Sequence, residues 1–109
     1  MNTILVVGRD WKFRALLRAQ LREEGFDALG FETLEAAAAE LAGATPAAMV
    51  FDTAEAPAHE LTQLPALSEK LFVLVVASAG EPLALPAAQV LRRPVQLGQL
   101  VEALANRVR

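Results

Sequence analysis

The chain has 109 residues, of which 54% are hydrophobic and 21% charged, and its formal net charge at pH 7 is −3. This length fits a single domain spanning residues 1–109, and the composition excludes a disordered chain. Because the chain has no cysteine, disulfides, thiolate metal sites and a catalytic thiol are excluded. The basic residues form no long run and no apolar window reaches the roughly 20 residues of a membrane span, so we expect a cytoplasmic protein without a nucleic-acid or membrane partner.

The first half of the chain alternates between two hydrophobic periods. Thr3–Val7 is a short apolar run rich in β-branched residues, which is typical of a strand buried on both faces. Asp10 is a candidate N-cap for a helix whose apolar residues recur at helical spacing. Residues 26–31 predict a second, more polar strand near a sheet edge, and Thr33 caps a second helix over 34–41.

The middle of the chain repeats this alternation. Residues 48–52 predict a third strand, which ends in an aspartate. A third helix is expected over 57–67, although Pro65 would fray or end it. Residues 71–76 are uniformly apolar and predict a fourth strand in the interior of the sheet.

The segment after the fourth strand is rich in helix breakers. Gly80, Pro82 and Pro86 leave too few residues for a full helix, so the fourth helix is expected to be short or missing. Residues 90–92 predict a short fifth strand, and 97–108 an amphipathic last helix.

Strands that alternate with helices predict an α/β fold with parallel β-α-β crossovers and helices on both faces of the sheet. Ligands of such folds bind outside the carboxyl ends of the strands. The residues expected at those ends are Gly8, Arg9, Asp10, Asp52, Ala77, Ser78 and Arg93.

Along essentially its whole length, the chain resembles the response-regulator receiver family. The resemblance is carried by Ile4-Leu5-Val6-Val7, Gly25-Phe26, Val50-Phe51-Asp52 and Arg93-Pro94, in this order and spacing. It implies a flavodoxin-like, receiver-type sheet of five parallel strands in the order 2-1-3-4-5. It also implies that Asp52 stands at the phosphoacceptor position, beside an acidic pair that holds magnesium, a Ser or Thr, and a Lys before proline.

The chain departs from this pattern around the pocket. The acidic pair falls on Gly8 and Arg9, and the Ser/Thr position falls on Ala77, with Ser78 one residue later. The Lys position is Arg93, which keeps the charge but not the geometry. Since magnesium prefers several oxygen ligands, we expect no metal site and no cofactor here.

We hypothesise that Arg9, joined by Arg93, pairs with Asp52 and takes the place of the metal. Asp10 is interpreted as a helix cap rather than a metal ligand.

The first helix offers a candidate contact surface for partners. Arg14, Arg18 and Arg22 recur at intervals of four residues, which predicts either a solvated face or a docking face for a signalling partner. Trp11 is expected to be partly buried at the start of this helix. His59 has no second histidine or cysteine to complete a metal site.

Three functions remain open. The first is a pseudo-receiver, which is not an enzyme and acts in a two-component or phosphorelay system by binding a histidine kinase, a phosphotransfer protein or a downstream effector. The second is a receiver that is phosphorylated at Asp52. The third, a small flavodoxin-like ligand binder, needs a phosphate-binding loop that residues 8–12 do not resemble. A homodimer is expected as an alternative partner if Leu83, Leu85 and Val95 are poorly covered.

Overall fold

Five strands alternate with helices along the residues that the computed structural model describes, which are 2–43, 45–86 and 88–108. The predicted boundaries differ from the observed ones by one or two residues at several strands and at the end of the second helix. The elements are β1 (Thr3–Val7), α1 (Trp11–Glu23), β2 (Asp27–Phe31), α2 (Leu34–Gly43), β3 (Ala48–Asp52), α3 (Ala58–Leu61), α4 (Leu64–Ser68), β4 (Phe72–Ala77), β5 (Gln89–Arg92) and α5 (Leu97–Val108).

The five strands form one parallel sheet in the order β2-β1-β3-β4-β5, which confirms the predicted topology. Val7 at the end of β1 lies opposite Phe51, and Asp52 at the end of β3 lies opposite Val76. The carboxyl ends of β1, β3 and β4 therefore meet at one edge of the sheet.

Two layers of helices bury the two faces of the sheet. Ile4 and Val6 contribute to the core beneath α1 and α5, whereas Leu5 and Val7 contribute to the core beneath α2 and α4. All four side chains are fully buried. This double burial explains why β1 is a continuous apolar run rather than an alternating one.

The predicted third helix is two short helices, so the expectation of one helix over 57–67 is wrong. Pro65 lies in the first turn of α4. Proline is tolerated there because the first N–H groups of a helix have no partner within the helix, whereas inside a longer helix it would remove a hydrogen bond. A new helix therefore begins at Leu64 instead of continuing α3.

No helix is present between β4 and β5 in residues 78–86 and 88, which confirms the prediction that the fourth helix would be short or missing. Leu83 and Leu85 are half-buried against the core on the α2–α4 face, and the residues flanking each of them are more exposed. We call Pro82–Pro86 the strap, because it covers part of the sheet face in place of a helix. Within the described ranges, no helix has the length and apolar character that crossing a membrane requires.

Candidate functional site

Asp52 ends β3 and is fully buried at the carboxyl edge of the sheet. Its Oδ1 accepts a hydrogen bond from the backbone N–H of Ala54, at 3.0 Å, and another from Nη2 of Arg93. Asp52 Oδ2 and Arg93 Nη1 are also buried, and neither has a hydrogen-bond partner among the described residues. A buried carboxylate needs a cation or hydrogen bonds to offset its lost hydration, and Arg93 supplies both.

Arg93 reaches Asp52 from the far side of β4. Its backbone N–H donates to the carbonyl of Ala77 at 2.8 Å, which fixes the residue at the end of β4, and its peptide bond to Pro94 is cis. Since β4 lies between β3 and β5, the long Arg93 side chain spans the end of β4 to make the ion pair. The hypothesis that an arginine pairs with Asp52 is therefore correct for Arg93.

Gly8 leaves no room for a side chain next to Asp52. A Cβ atom added at Gly8 would lie 2.9 Å from Asp52 Cβ and 3.5 Å from Asp52 Oδ2. The first of these distances is shorter than ordinary packing allows, so a carboxylate at position 8 would force Asp52 to move.

Arg9 does not pair with Asp52, and this part of the hypothesis is wrong. Both terminal nitrogens of Arg9 bind the carboxylate of Glu60 in α3, with Nη2 donating to Oε2 at 2.7 Å and Nη1 to Oε1. Glu60 is fully buried, and its Oε2 also accepts the backbone N–H of Leu34, at 3.1 Å, at the start of α2. The ion pair therefore joins the β1–α1 loop to both α2 and α3.

The charges of this pair stabilise each other. The hydrogen bonds from Arg9 hold the pKa of Glu60 below its ordinary value of 4.5, although burial of the carboxyl opposes the shift. The same hydrogen bonds raise the pKa of Arg9, so that both groups are charged at neutral pH.

Glu60 is the site residue that the sequence reasoning missed. Glu60, Leu64 and Ser68 follow one another at intervals of four residues, and all three are buried. A glutamate at a position that continues the apolar face of the following segment was the available signal, because an unpaired carboxylate is rarely buried.

Asp10 is the N-cap of α1, as predicted. Its Oδ1 accepts the backbone N–H groups of Lys12, at 3.0 Å, and Phe13, at 3.3 Å. The carboxylate is thus engaged by the helix start and does not replace the missing acidic pair. Trp11 was expected to be partly buried, but it is 65% exposed.

Ala77 ends β4 in the core, and the exposed Ser78 begins a turn over residues 78–81, which we call the β4 turn. The carboxylate of Glu81 accepts the Thr53 hydroxyl at 2.7 Å and the Ser78 backbone N–H at 3.2 Å. Nη1 of Arg92 donates to the carbonyls of Ser78 and Glu81, at 2.9 and 2.6 Å. The β4 turn is therefore held by one side chain that follows β3 and by another at the end of β5.

Each of the three arginines of α1 donates a hydrogen bond to a backbone carbonyl of the domain itself. Arg14 donates to the carbonyl of Gly8, while Arg18 and Arg22 donate to the carbonyl of Ala28 at 3.2 and 3.1 Å. Because Ala28 belongs to the edge strand β2, two of these arginines cover an edge of the sheet.

The large apolar side chains that α1 exposes are Trp11 and Leu16, and Leu16 is 58% exposed. Leu16 borders a groove of about 700 Å³ between α1 and the segment that leads into α5. This groove brings together several residues that the sequence placed at the strand ends. Its lining residues are Asp10, Lys12, Phe13, Leu16, Ser78, Ala79, Arg93, Pro94, Val95 and Leu97.

Solved structures are similar to this chain, whereas no family model and no curated protein matches it. A sensor protein from Polaromonas sp. JS666 is 23% identical, with a TM-score of 0.78, over 98% of this chain and 95% of that one. The receiver domain of the Francisella response regulator 1452 is 15% identical, with a TM-score of 0.82, over 99% and 97%. The beryllofluoride-activated NtrC4 receiver domain dimer is 19% identical, with a TM-score of 0.83, over 99% and 97%. This chain has the fold of a response-regulator receiver domain.

The residues of this receiver fold do not fit the magnesium ion that receivers hold. Position 8 has no side chain and no room for one, and the guanidinium at position 9 is bound to Glu60. Oδ1 of Asp52 is occupied by Arg93 and a backbone N–H. Magnesium requires a nearly octahedral shell of oxygen atoms, and these groups do not provide one.

A second group of metal-ligating residue types lies beside Arg9. Ligand atoms of Glu35, His59 and Glu60 are within 4.8 Å of one another, and His59 Nε2 is 3.0 Å from Glu35 Oε1. Both oxygens of Glu60 already accept hydrogen bonds from Arg9, however. This arrangement is a hydrogen-bonded network rather than a set of free metal ligands.

Proposed function

We propose that this domain is a cytoplasmic receiver-like module of a two-component or phosphorelay system, which acts by binding proteins without ordinary magnesium-dependent phosphorylation of Asp52. The observation that carries the proposal is the guanidinium of Arg93 on the buried carboxylate of Asp52. A cation of the chain itself thereby pairs with Asp52 at one of its two carboxylate oxygens.

The chemistry of phosphoryl transfer supports this reading. The charge that develops on the transferring oxygens must be neutralised, usually by a metal ion held on carboxylates. Gly8 and Arg9 offer no such carboxylate, and Ala77 has no hydroxyl for the phosphoryl oxygens. A phosphodonor would also have to reach a carboxylate that is fully buried and paired with Arg93.

The surface supports a protein partner. Trp11 and Leu16 are the large apolar side chains that the described part of the chain exposes most, and Lys12 lies 5.8 Å from the centre of the Trp11 ring. Exposed aromatic and apolar groups next to a groove are typical of protein interfaces. The partner that we propose is a histidine kinase, a phosphotransfer protein or a downstream effector; light scattering over a concentration series tests the alternative of a second copy.

An NMR titration of the isotope-labelled chain tests the proposal, first with magnesium and then with magnesium and beryllofluoride, a mimic of the phosphoryl group. We expect no saturable shifts at the amides of residues 52–54 and 78. Arg93→Lys, which restores the residue type that the family resemblance implies, is the matched variant. It is expected to bind no magnesium either, because positions 8 and 9 still lack oxygen ligands. Saturable shifts around Asp52 at millimolar magnesium in the native chain would overturn the proposal.

One observation favours the second candidate, a receiver that is phosphorylated at Asp52: Oδ2 of this residue has no hydrogen-bond partner among the described residues. Intact-mass measurement after incubation with a small phosphodonor and magnesium decides between the two. A stoichiometric gain of one phosphoryl group that Asp52→Asn abolishes would establish this candidate. An unchanged mass supports the proposal.

A further inference from the structure

Two side chains that are next in sequence to the Asp52–Arg93 ion pair donate hydrogen bonds to the β4 turn. Thr53 directly follows Asp52 and is almost fully buried, and its hydroxyl donates to Glu81 at 2.7 Å. Arg92 directly precedes Arg93 and donates to two carbonyls of the turn. Neither residue takes part in the Asp52–Arg93 contact itself.

The turn leads directly into the strap. Leu83 and Leu85 of the strap pack against the apolar cluster to which Val73 and Val75 of β4 belong. No helix covers this part of the sheet in residues 78–86 and 88, so the strap takes over part of that cover. Of its five residues only Leu83 and Leu85 are half-buried, and a segment with few buried contacts opens more readily than a helix.

We infer that the Glu81 carboxylate is a latch, which holds the strap closed over the apolar β4–β5 face. When Glu81 is released from Thr53 and Ser78, the turn loses its attachment to β3 and keeps only the two hydrogen bonds from Arg92, so the strap opens more readily. This opening does not depend on the chemical state of Asp52.

Chemistry and placement both support Glu81 in this role. Hydrogen bonds to a charged acceptor are stronger than those between neutral groups. One carboxylate oxygen here accepts both a side-chain hydroxyl and a backbone N–H, from two different strand ends. Removing one side chain therefore removes both contacts at once.

Amide hydrogen exchange of the full chain, followed by NMR, tests the latch. In Glu81→Ala we expect exchange at Ala88, whose N–H donates to Leu85 of the strap, to quicken by about tenfold or more, since hydrogen bonds to charged groups are worth that much. Ser78 quickens in any case, because its N–H donates to Glu81 directly. Glu40→Ala, at an exposed glutamate of α2, is the matched control and is expected to leave these amides unchanged. Fluorescence of an apolar dye is expected to rise with Glu81→Ala and not with the control, because the β4–β5 face becomes accessible.

Two further variants keep the test decisive. Thr53→Val removes only the hydroxyl donor and is expected to quicken the same amides by a smaller factor, even if Glu81→Ala folds poorly. Glu81→Gln keeps an acceptor oxygen and is expected to restore part of the protection. The latch is refuted if the amide of Ala88 exchanges in Glu81→Ala and Thr53→Val as it does in the Glu40→Ala control. It is also refuted if the amides of β1 and β3 quicken as much as Ser78, because Glu81 would then support the whole fold rather than the strap.

Discussion

Replacing Arg9 by methionine is expected to destabilise the domain by about 3 to 5 kcal/mol, because Glu60 would keep a buried carboxylate without its cation. Glu60 is fully buried, and its one remaining hydrogen bond would be the N–H of Leu34 at 3.1 Å. Domains of this kind have a total stability of about 5 to 15 kcal/mol, so the loss is a large part of it.

The two partners are not expected to be equivalent. The Arg9 side chain is 18% exposed, so in Glu60→Gln its guanidinium can still reach water, and we expect a smaller loss of about 1.5 to 3 kcal/mol. The double variant with methionine at both positions replaces the ion pair by apolar groups and leaves no buried charge. We expect it to be more stable than Arg9→Met alone.

The pH dependence gives an independent check. The pKa of Glu60 is lowered from 4.5, so the ion pair contributes fully above pH 4.5, and its contribution is lost as the pH falls through the folded-state pKa. The deficit of Arg9→Met relative to the native chain should therefore be largest at neutral pH and shrink in acid. Urea unfolding followed by circular dichroism, at neutral pH and well below pH 4.5, measures it. A deficit at neutral pH below about 1 kcal/mol, the usual value of a surface pair, would refute the reasoning.

Two further predictions concern the backbone and the edge of the sheet. Glu55 has a φ of 58°, and Glu55→Gly is expected to raise the stability by about 0.5 to 1 kcal/mol, because glycine avoids the steric cost but loses more chain entropy. A lower urea midpoint than that of the native chain would contradict this. Arg18→Ala removes a hydrogen bond to Ala28 in the edge strand β2, and we expect a loss of about 1 kcal/mol and more aggregation on heating. Light scattering during the melt checks this, and an increase no greater than in Lys12→Ala would count against it.

The architecture could be predicted because each element depends on a local pattern. The apolar runs of the interior strands indicate burial on both faces, and Gly80, Pro82 and Pro86 forbid a full helix between β4 and β5 whatever surrounds them. Asp10 was predicted correctly as a cap because the N–H groups that it accepts are two and three residues away. These features need no knowledge of the tertiary structure.

The partners of the charged residues could not be predicted in the same way. The Arg9 side chain is long enough to reach Asp52, and the sequence does not exclude this pairing. In the structure, however, the short helix α3 places Glu60 beside Arg9. The sequence predicts one helix over 57–67 that Pro65 would fray or end, whereas the structure has a separate helix that already ends at Leu61. The spacing to Leu64 and Ser68 indicates that Glu60 is buried, but its pairing with Arg9 depends on packing that the sequence pattern does not encode.

The arginines of α1 show a second limit of sequence patterns. Their spacing of four residues is the same for a solvated face and for a face that lies over an edge strand. Gly30 in β2 allows Arg18 to lie over the edge strand. A Cβ atom at position 30 would lie 2.8 Å from Arg18 Cδ, so the glycine leaves space for this side chain. The relevant residue is on a different element, and only the register of α1 on β2 brings the two together.

The two ion pairs of the site differ from a bound metal in one respect that bears on regulation. A metal ion or a phosphoryl group can leave, and its loss or gain gives a domain two states with different contacts. Arg9 and Arg93 are attached to the chain, so no binding equilibrium empties the positions that they occupy beside Glu60 and Asp52. If this domain switches, the switch must therefore lie in contacts that can open without exposing an unpaired buried charge. Glu81 meets that condition, because its contacts at the β4 turn are only partly buried and water can replace them.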